Sequence, residues 1–446
     1  MKNPAKIQRI EQFTSMRAPL NLQAAIKESN RCLLCYEAPC TKACPAGTDP
    51  GKFIRQIRFY NYKGAARTIR NNNILGGSCA HICPVEQLCE KECSINALEN
   101  PINIAGLQQF ANEYGINNSL EPMKTSKKTM GSIAIIGGGP AGLACASSLL
   151  KMDFHVTIFE RENRAGGVPL YNIPEFRLPE QVIANDIENL ISLGVEFKFN
   201  SPIIDKGSVN KFLAEGFDAV FISTGLSAPI TLEYLQGYAN AVDYNSFLRQ
   251  HKFGKNKISL QDKIIAVIGG GSVAIDSAVT AKACGAKKVY LLSLERLGEL
   301  PADKEEINLA HIMGIIFKAG TQITDVKKNG TMLSGLSGVE IEWKQPDLFT
   351  PSNAIEIDGT QFNINIDLVI QAIGTKPGLE IANLGNNLKT NGKGVIQVSD
   401  NYQTNIPFVF AAGDVVVGGK TVVQAVGDGK KAAECIINSL NERTDK

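Results

Sequence analysis

Residues 132–160 read SIAIIGGGPAGLACASSLLKMDFHVTIFE, and this stretch decides the fold. An apolar run of strand length leads into a glycine turn, and small and apolar residues then follow at helical spacing. Gly137, Gly139 and Gly142 make G-x-G-x-x-G. The first allows the tight turn, the second lets the backbone approach a pyrophosphate, and the third lets the helix pack on the strand. Pro140 suits a first helical turn, where its missing N–H costs nothing. The free N–H groups of that helix end, around Gly138, Gly139 and Ala141, are placed to bind phosphate. Glu160 ends the next strand eighteen residues after Gly142, where a ribose hydroxyl is expected. Glycines alone signal little, but in the order strand, turn, helix, strand, acid they predict a dinucleotide site.

The same grammar returns at 263–295, KIIAVIGGGSVAIDSAVTAKACGAKKVYLLSLE. Gly269, Gly271 and Ala274 hold the three small positions, with Ser272 and Val273 opening the helix and Glu295 ending the second strand. An acid there favours NAD, whereas an arginine would take the 2′-phosphate of NADP. Arg296 is the neighbour, and the expectation is NADH. Residues 367–377, DLVIQAIGTKP, with Gly374, close this second fold.

Elements outside 241–374 complete the first fold. Gly166 and Gly167 follow Glu160, a buried strand ends at Gly225, and residues 408–436 pair a strand ending in Gly413-Asp414 with a helix starting near Thr421. An acid at a strand end beside a helix N-terminus can take ribityl hydroxyls, while the helix dipole stabilises negative charge on a flavin. Asp414 alone would equally serve as a helix cap. The expected architecture is α/β, with two Rossmann-like dinucleotide-binding domains, one inserted in the other. Residues 129–240 and 375–446 would bind FAD and residues 241–374 NAD(H).

Residues 1–125 have a different character. Eight of the eleven cysteines lie here, as Cys32, Cys35, Cys40, Cys44 and Cys79, Cys83, Cys89, Cys93. Zinc knuckles would show paired C-x2-C steps. This chain has C-x2-C-x4-C-x3-C-P and C-x3-C-P-x4-C-x3-C, so one C-x2-C and two Cys-Pro steps. A closing C-x3-C-P is a feature of two-cluster ferredoxins, in which the fourth cysteine of a run ligates the other cluster. Two 4Fe–4S clusters are the expectation, with structural zinc as the alternative. By that logic Cys44 joins Cys83, Cys89 and Cys93, and Cys32, Cys35 and Cys40 need a fourth ligand, for which Cys79 is one candidate. Apolar residues at helical spacing in 49–73 and 101–114 predict packing helices around the sites, and the polar stretch 117–131 reads as a linker.

Composition excludes other classes. A net charge of +2 gives no basic field for nucleic acid. No apolar run nears the roughly 18 residues of a membrane span, and residues 1–13 hold no apolar leader core. A cytoplasmic location follows, where thiols stay reduced and disulfides are disfavoured.

Two dinucleotide sites pair FAD with a nicotinamide for hydride transfer. No second cysteine pair stands ready as a redox disulfide, because Cys145, Cys284 and Cys435 fall in separate helical patterns and read as buried small residues. The electrons are therefore expected to leave through the clusters. His81, His155, His251 and His311 are scattered and read as structural.

With these residues in view, the chain resembles the iron–sulfur flavoprotein module shared by dihydropyrimidine dehydrogenases and the small subunit of glutamate synthase. RCLLCYEAPCTKACP, DPGKFIRQI, INIAGLQQFA, IPEFRLP and AAGDVV look nearest to the PreT-type subunits of bacterial NAD-dependent dihydropyrimidine dehydrogenase. That resemblance implies Gln108 as fourth ligand of the Cys32, Cys35, Cys40 cluster, with Cys79 as the fallback, and Arg177 as an FAD contact. NADPH-using relatives carry Arg-Lys where this chain has Leu294-Glu295, which agrees with NADH. The resemblance further implies an NAD-dependent oxidoreductase acting on CH–CH bonds. NADH would reduce FAD, and electrons would pass through the clusters to an FMN- and iron–sulfur-containing partner subunit that carries the pyrimidine site and reduces uracil or thymine. The rival expectation is a glutamate synthase small subunit or a related electron-input subunit.

Overall fold

The computed structural model describes residues 16–17, 19–121, 130–203, 205–255, 258–346 and 348–444. Residues 1–13, read above for a leader, and 122–129 of the polar stretch lie outside them. Two compact units emerge, one of Arg17–Leu170, Phe176–Ser227 and Lys376–Lys446, the other built on Tyr171–Glu175 and Ala228–Thr375. Residues 228–240, expected in the first dinucleotide fold, belong to the second unit, and the cysteine region shares one unit with the first fold.

In the cysteine region the helices start on short polar side chains. Asn21, Asp49, Asn61 and Asn103 accept the backbone N–H groups of Ala24, Lys52, Gly64 and Gly106 at 2.7 to 3.1 Å. Each bond satisfies one donor that a helix start leaves without a partner. The helices so begun are Leu22–Arg31, Pro50–Arg58, Tyr62–Asn72 and Ile104–Asn117. Their apolar faces meet in a core of Phe53, Ile54, Ile57, Ile69, Leu107 and Ala111, against which Cys32, Cys40, Cys83 and Cys93 pack.

The first sheet orders its strands as Val409–Ala411, Ala219–Ile222, Ser132–Ile136, His155–Phe159 and Glu196–Lys198, all parallel. Its two central strands, AVFI and SIAII, are buried and apolar except for Ser132, as a sheet covered on both faces requires. The glycine turn leaves the middle strand between neighbours reached in opposite directions, the switch point where such sheets bind ligands. Helix Pro140–Lys151 runs against helix Val422–Thr444. Their approach depends on Gly429, where a Cβ would meet the Ala141 carbonyl. Gly429→Ala is expected to cost about 1–3 kcal/mol through overpacking, read as a lower melting temperature of the cofactor-free protein.

The second unit holds a parallel sheet in the order Ala241–Asp243, Leu368–Gln371, Ile264–Ile268, Lys288–Ser293 and Ile316–Ala319. It also holds an antiparallel sheet that the sequence analysis did not anticipate. Thr321–Asn329 and Met332–Trp343 form a hairpin, extended by Ala354–Glu356 and Phe362–Asn365. Among the described residues no helix is long and apolar enough to cross a membrane.

Candidate functional site

At the first glycine turn, Gly137 has φ +106°, and a Cβ there would lie 2.6 Å from the Ser223 carbonyl oxygen. Only glycine fits. Gly142 lies so close to the Gly137 carbonyl that a side chain would collide with it. Gly139, by contrast, faces open space, with nothing within 4 Å of a built Cβ. That clear approach to a helix N-terminus fits a pyrophosphate. The buried Glu160 carboxylate accepts Gly138 N at 2.7 Å and Glu162 N at 3.0 Å, so it is fixed at the mouth of the turn. Gly166 N donates to the Gly138 carbonyl at 2.8 Å, which lays the Gly166–Gly167 loop over the same turn.

From the far end of the chain, Gly413 packs on Ala141, where a Cβ would come within 3.0 Å of that side chain. This contact brings Asp414 to the start of helix Pro140–Lys151. Asp414 Oδ1 accepts Lys420 N at 3.2 Å, and burial pushes its pKa up to about 6. Thr421 Oγ1 accepts Gln424 N at 3.3 Å and so caps helix Val422–Thr444. Arg177 is buried in the same unit. The first fold thus assembles Gly137–Gly142, Glu160, Gly166, Gly167 and Asp414 around one helix end.

In the second unit the arrangement repeats. Gly269, at φ +135°, leaves no room for a Cβ beside the Ala372 carbonyl, while Gly271 looks onto space with Pro301 Cγ 4.0 Å away. Helix Ser272–Ala283 starts there, with Ala274 fully buried. Glu295 Oε2 stands 3.0 Å from a Cβ built on Gly270, the relation Glu160 Oε2 has to Gly138. Arg296 is engaged elsewhere: its N–H donates to Glu299 Oε2 at 3.1 Å, and its guanidinium lies 3.9 Å from the Glu342 carboxylate. Gly374 O accepts Ile230 N at 3.0 Å.

The eight cysteines of the helical region are all unpaired thiols, and their mutual electrostatics gather them into two adjoining groups, Cys89 feeling both Cys44 and Cys40. Cys32 and Cys40 are raised in pKa, Cys40 to about 11, mainly by burial and then by the charge of Cys93, with Cys35 a further neighbour of both. Cys83 is raised by burial and by Cys79, Cys89 and Cys44. Burial lifts Cys79 to about 12, against the Asn73 amide, which donates to its sulfur at 3.4 Å. Thr48 N donates to Cys44 Sγ at 3.4 Å. Thiols held neutral by burial become ligands when iron supplies the compensating positive charge. Two groups of soft donors, packed against an apolar core, fit iron–sulfur clusters.

Two residues stand apart from the expected partition. Cys93 neighbours Cys32 and Cys40 rather than Cys83. Gln108 Nε2 donates to the Gly76 carbonyl at 2.7 Å, which ties its side chain to helix Gly76–Ile82, the helix that carries Cys79. Among the described residues no three His, Cys, Asp or Glu side chains converge on a single metal ion. Elsewhere His251 Nδ1 lies 3.3 Å from Cys284 Sγ, the His311 ring packs at a tilt on Phe317, His155 faces Glu196, and Cys145 is fully buried. Burial and Arg17 lower the pKa of His81 to about 4.

Sequence reasoning missed Asn73, Asp186 and Lys430, which tie the cysteine region together. Asp186 accepts Gly77 N, Ser78 N and Ser78 Oγ at 2.7 to 3.2 Å. Lys430 Nζ donates to the carbonyls of Ala46 and Asn72. No local motif marks Asp186 or Lys430, because their partners lie far away in the chain, while Asn73 joins near partners, Leu75 and Cys79, to the distant Thr48.

Residues 131–429 match the pyridine nucleotide-disulphide oxidoreductase family, and residues 9–120 match the family of dihydropyrimidine dehydrogenase domain II, 4Fe-4S cluster. The chain is 37% identical over 420 residues to NAD-dependent dihydropyrimidine dehydrogenase subunit PreT of Escherichia coli K12, covering 93% of this chain and 94% of that one. It is 36% identical over 418 residues to the PreT homolog of Salmonella typhi, covering 94% and 95%. The small chain of glutamate synthase [NADPH] of E. coli K12 is 30% identical over 455 residues, covering 98% and 96%. Among solved structures, thioredoxin reductase of T. acidophilum shares the fold, with 19% identity and a TM-score of 0.54 over 70% of this chain and 98% of that one. FAD, NAD(H) and 4Fe–4S clusters are accordingly the cofactors of this oxidoreductase. The chain belongs to the PreT family of iron–sulfur flavoprotein subunits of NAD-dependent dihydropyrimidine dehydrogenase, within the wider group that includes the glutamate synthase small chain.

Proposed function

We propose that this chain is the electron-input subunit of a dihydropyrimidine dehydrogenase, working with a partner subunit that carries FMN, iron–sulfur clusters and the pyrimidine site. Bound in the first fold, FAD would supply hydride acceptance from NADH, and clusters on the cysteines would supply one-electron transfer toward uracil or thymine on the partner. The observation that carries this reading is the union, in one compact unit, of a flavin-type glycine turn and two groups of cluster-forming thiols. In the first fold, Gly137–Gly142 receive the pyrophosphate, Glu160 the ribose, and Arg177, Gly166, Gly167, Asp414 and Thr421 the remainder of FAD. In the second, Gly269, Gly271, Ser272, Val273, Ala274 and Gly374 shape the NAD(H) site and Glu295 holds its ribose. The helical region holds one cluster on Cys32, Cys35, Cys40 and Cys93. A second sits on Cys44, Cys83 and Cys89, with Gln108 or Cys79 as its fourth ligand.

Purification of the native complex and assay with NADH and uracil tests the proposal. Uracil-dependent NADH oxidation is the expected result, and a complex that bleaches its flavin with NADH yet leaves uracil and thymine untouched refutes the assignment. A second reading, feeding electrons to a glutamate synthase large subunit, draws on the 30% identity to that small chain. Mixing with each large subunit decides between them by which activity returns.

A pH dependence follows from Asp414. In the cofactor-free fold its acid titrates at about 6, whereas accepting ribityl hydroxyls favours the carboxylate. FAD affinity should therefore fall as pH drops through about 6, because binding then requires loss of a proton. Titration of the apoprotein with FAD, followed by flavin fluorescence, checks this, and Asp414→Asn should bind more weakly with a flat profile over that range.

A further inference from the structure

We propose that Lys430 is a positioning residue for the cluster that Cys44 ligates: from the flavin-binding fold it holds the Cys44–Ala46 turn and fixes a positive charge beside that cluster. This rests on the cluster reading above and adds a residue through which the flavin fold sets a cluster's potential.

Helix Val422–Thr444 begins at Thr421, next to the Asp414 loop, and passes the cysteine region two turns later. Gly427 is where the two meet, since a Cβ there would stand 2.5 Å from the Pro45 carbonyl oxygen. One turn on, Lys430 Nζ donates to Ala46 O at 2.6 Å and to Asn72 O at 2.7 Å. Those carbonyls belong to the two chain segments that shape the site. Ala46 follows Cys44, and Asn72 precedes Asn73, whose amide bonds both Thr48 Oγ1 at 3.1 Å and Cys79 Sγ at 3.4 Å. Through two hydrogen bonds the ammonium therefore registers the Cys44 turn against the Asn73–Cys79 segment.

The charge itself lacks a carboxylate counterpart, for among the described residues none lies within 4.0 Å of Nζ. Its electrostatic neighbours are the Cys44 sulfur and, one turn further along its helix, Glu434, while Lys151 adds positive charge nearby. A half-buried ammonium held by two carbonyls favours negative charge beside it, and an anionic cluster on Cys44 supplies it. Reduction adds one negative charge to a cluster, so a fixed cation beside it stabilises the reduced form and raises its potential. Asp186, also from the flavin fold, grips the helix that carries Cys79 at Gly77 and Ser78, so that fold holds the region at two points.

The test is an EPR-monitored potentiometric titration of the reconstituted full-length protein, comparing wild type with Lys430→Gln, Lys430→Met and Lys430→Arg. Gln retains a donor without the charge, Met retains neither, and Arg retains both. In the Gln and Met variants one centre should move to lower potential, with its reduced-to-oxidised ratio at fixed poise falling about tenfold, equivalent to ~59 mV for a one-electron couple. The other centre and the flavin should stay at their wild-type potentials, and Arg should restore the shifted centre. Unchanged potentials in both Gln and Met variants, or an equal shift of both centres, overturn the proposal. Wild-type protein that forms no EPR-active cluster after reconstitution overturns the underlying functional reading instead, so the two failures are distinguishable.

Discussion

Cys93→Ser is expected to erase the same iron–sulfur EPR signal as Cys32→Ser and Cys40→Ser, and to spare the signal that Cys83→Ser and Cys89→Ser erase. Spacing within the second run groups Cys93 with its sequence neighbours, but the fold carries it elsewhere. After Cys93 the chain enters a short helical turn at Ser94–Ala97, and Ser94 Oγ lies 3.3 Å from Cys35 Sγ. Cys93 therefore raises the pKa of Cys32 and Cys40, while Cys83 feels Cys79, Cys89 and Cys44. The fourth cysteine of each run then crosses to the other cluster, a reciprocal form of the ferredoxin pattern. Each single variant should lose about half its iron, since a thiolate ligand is removed from one cluster only. The contest at the second cluster is between Cys79, with Asn73 on its sulfur, and Gln108, whose Nε2 is committed to Gly76 O and whose Oε1 is the atom left to ligate. Loss of the second signal in Gln108→Leu but not Cys79→Ser identifies the amide as ligand, and the reverse identifies the thiol. If Cys93→Ser and Cys83→Ser erase one and the same signal, the partition is wrong.

Both dinucleotide folds were legible because their determinants are local. Gly137 and Gly269 need positive φ and no Cβ, and the acid that answers each turn lies one helix and one strand away, so a window of about 30 residues holds the unit. Cluster partition was not legible in the same way. Ligand grouping depends on where loops return in space: its place as fourth in its run marks Cys93 for the other cluster just as it marks Cys44, but nothing along the chain marks where Gln108 returns. The antiparallel sheet did leave a signal that went unread. Gly330-Thr331 is the two-residue loop between two strands whose ends, Asn329 and Met332, pair, with Gly330 at φ +62°, and a glycine opening so short a loop is a hairpin mark. Reading 241–374 as one dinucleotide fold absorbed those residues into a pattern of strand, helix and strand. Lys430 and Asp186 left none, since one lysine or aspartate on a helix looks like any solvated charge until the partner carbonyl or N–H is known.

Glu295→Gln should raise the KM for NADH by about 10- to 100-fold with little change in the maximal rate of flavin reduction. A hydrogen bond to a charged acceptor contributes about 1.5–3 kcal/mol, and losing one held equally in the ground and transition states moves KM alone. Glu295 is the residue to test because its carboxylate already stands at the Gly270 turn in the relation Glu160 has to Gly138. Arg296, the neighbouring residue that could take a 2′-phosphate, has its guanidinium beside Glu342 and its N–H on Glu299. Selectivity in the wild type should therefore favour NADH, through attraction of the ribose hydroxyls and repulsion of the 2′-phosphate by the same carboxylate. Glu295→Arg reverses both effects, since a guanidinium binds phosphate through paired donors, and its kcat/KM should favour NADPH. Stopped-flow reduction of the purified, FAD-loaded chain by each nucleotide measures this without the partner subunit. Equal kcat/KM for the two nucleotides in the wild type, or a Gln variant with wild-type KM for NADH, removes Glu295 from the site and returns the choice of nucleotide to residues outside the strand-end acid.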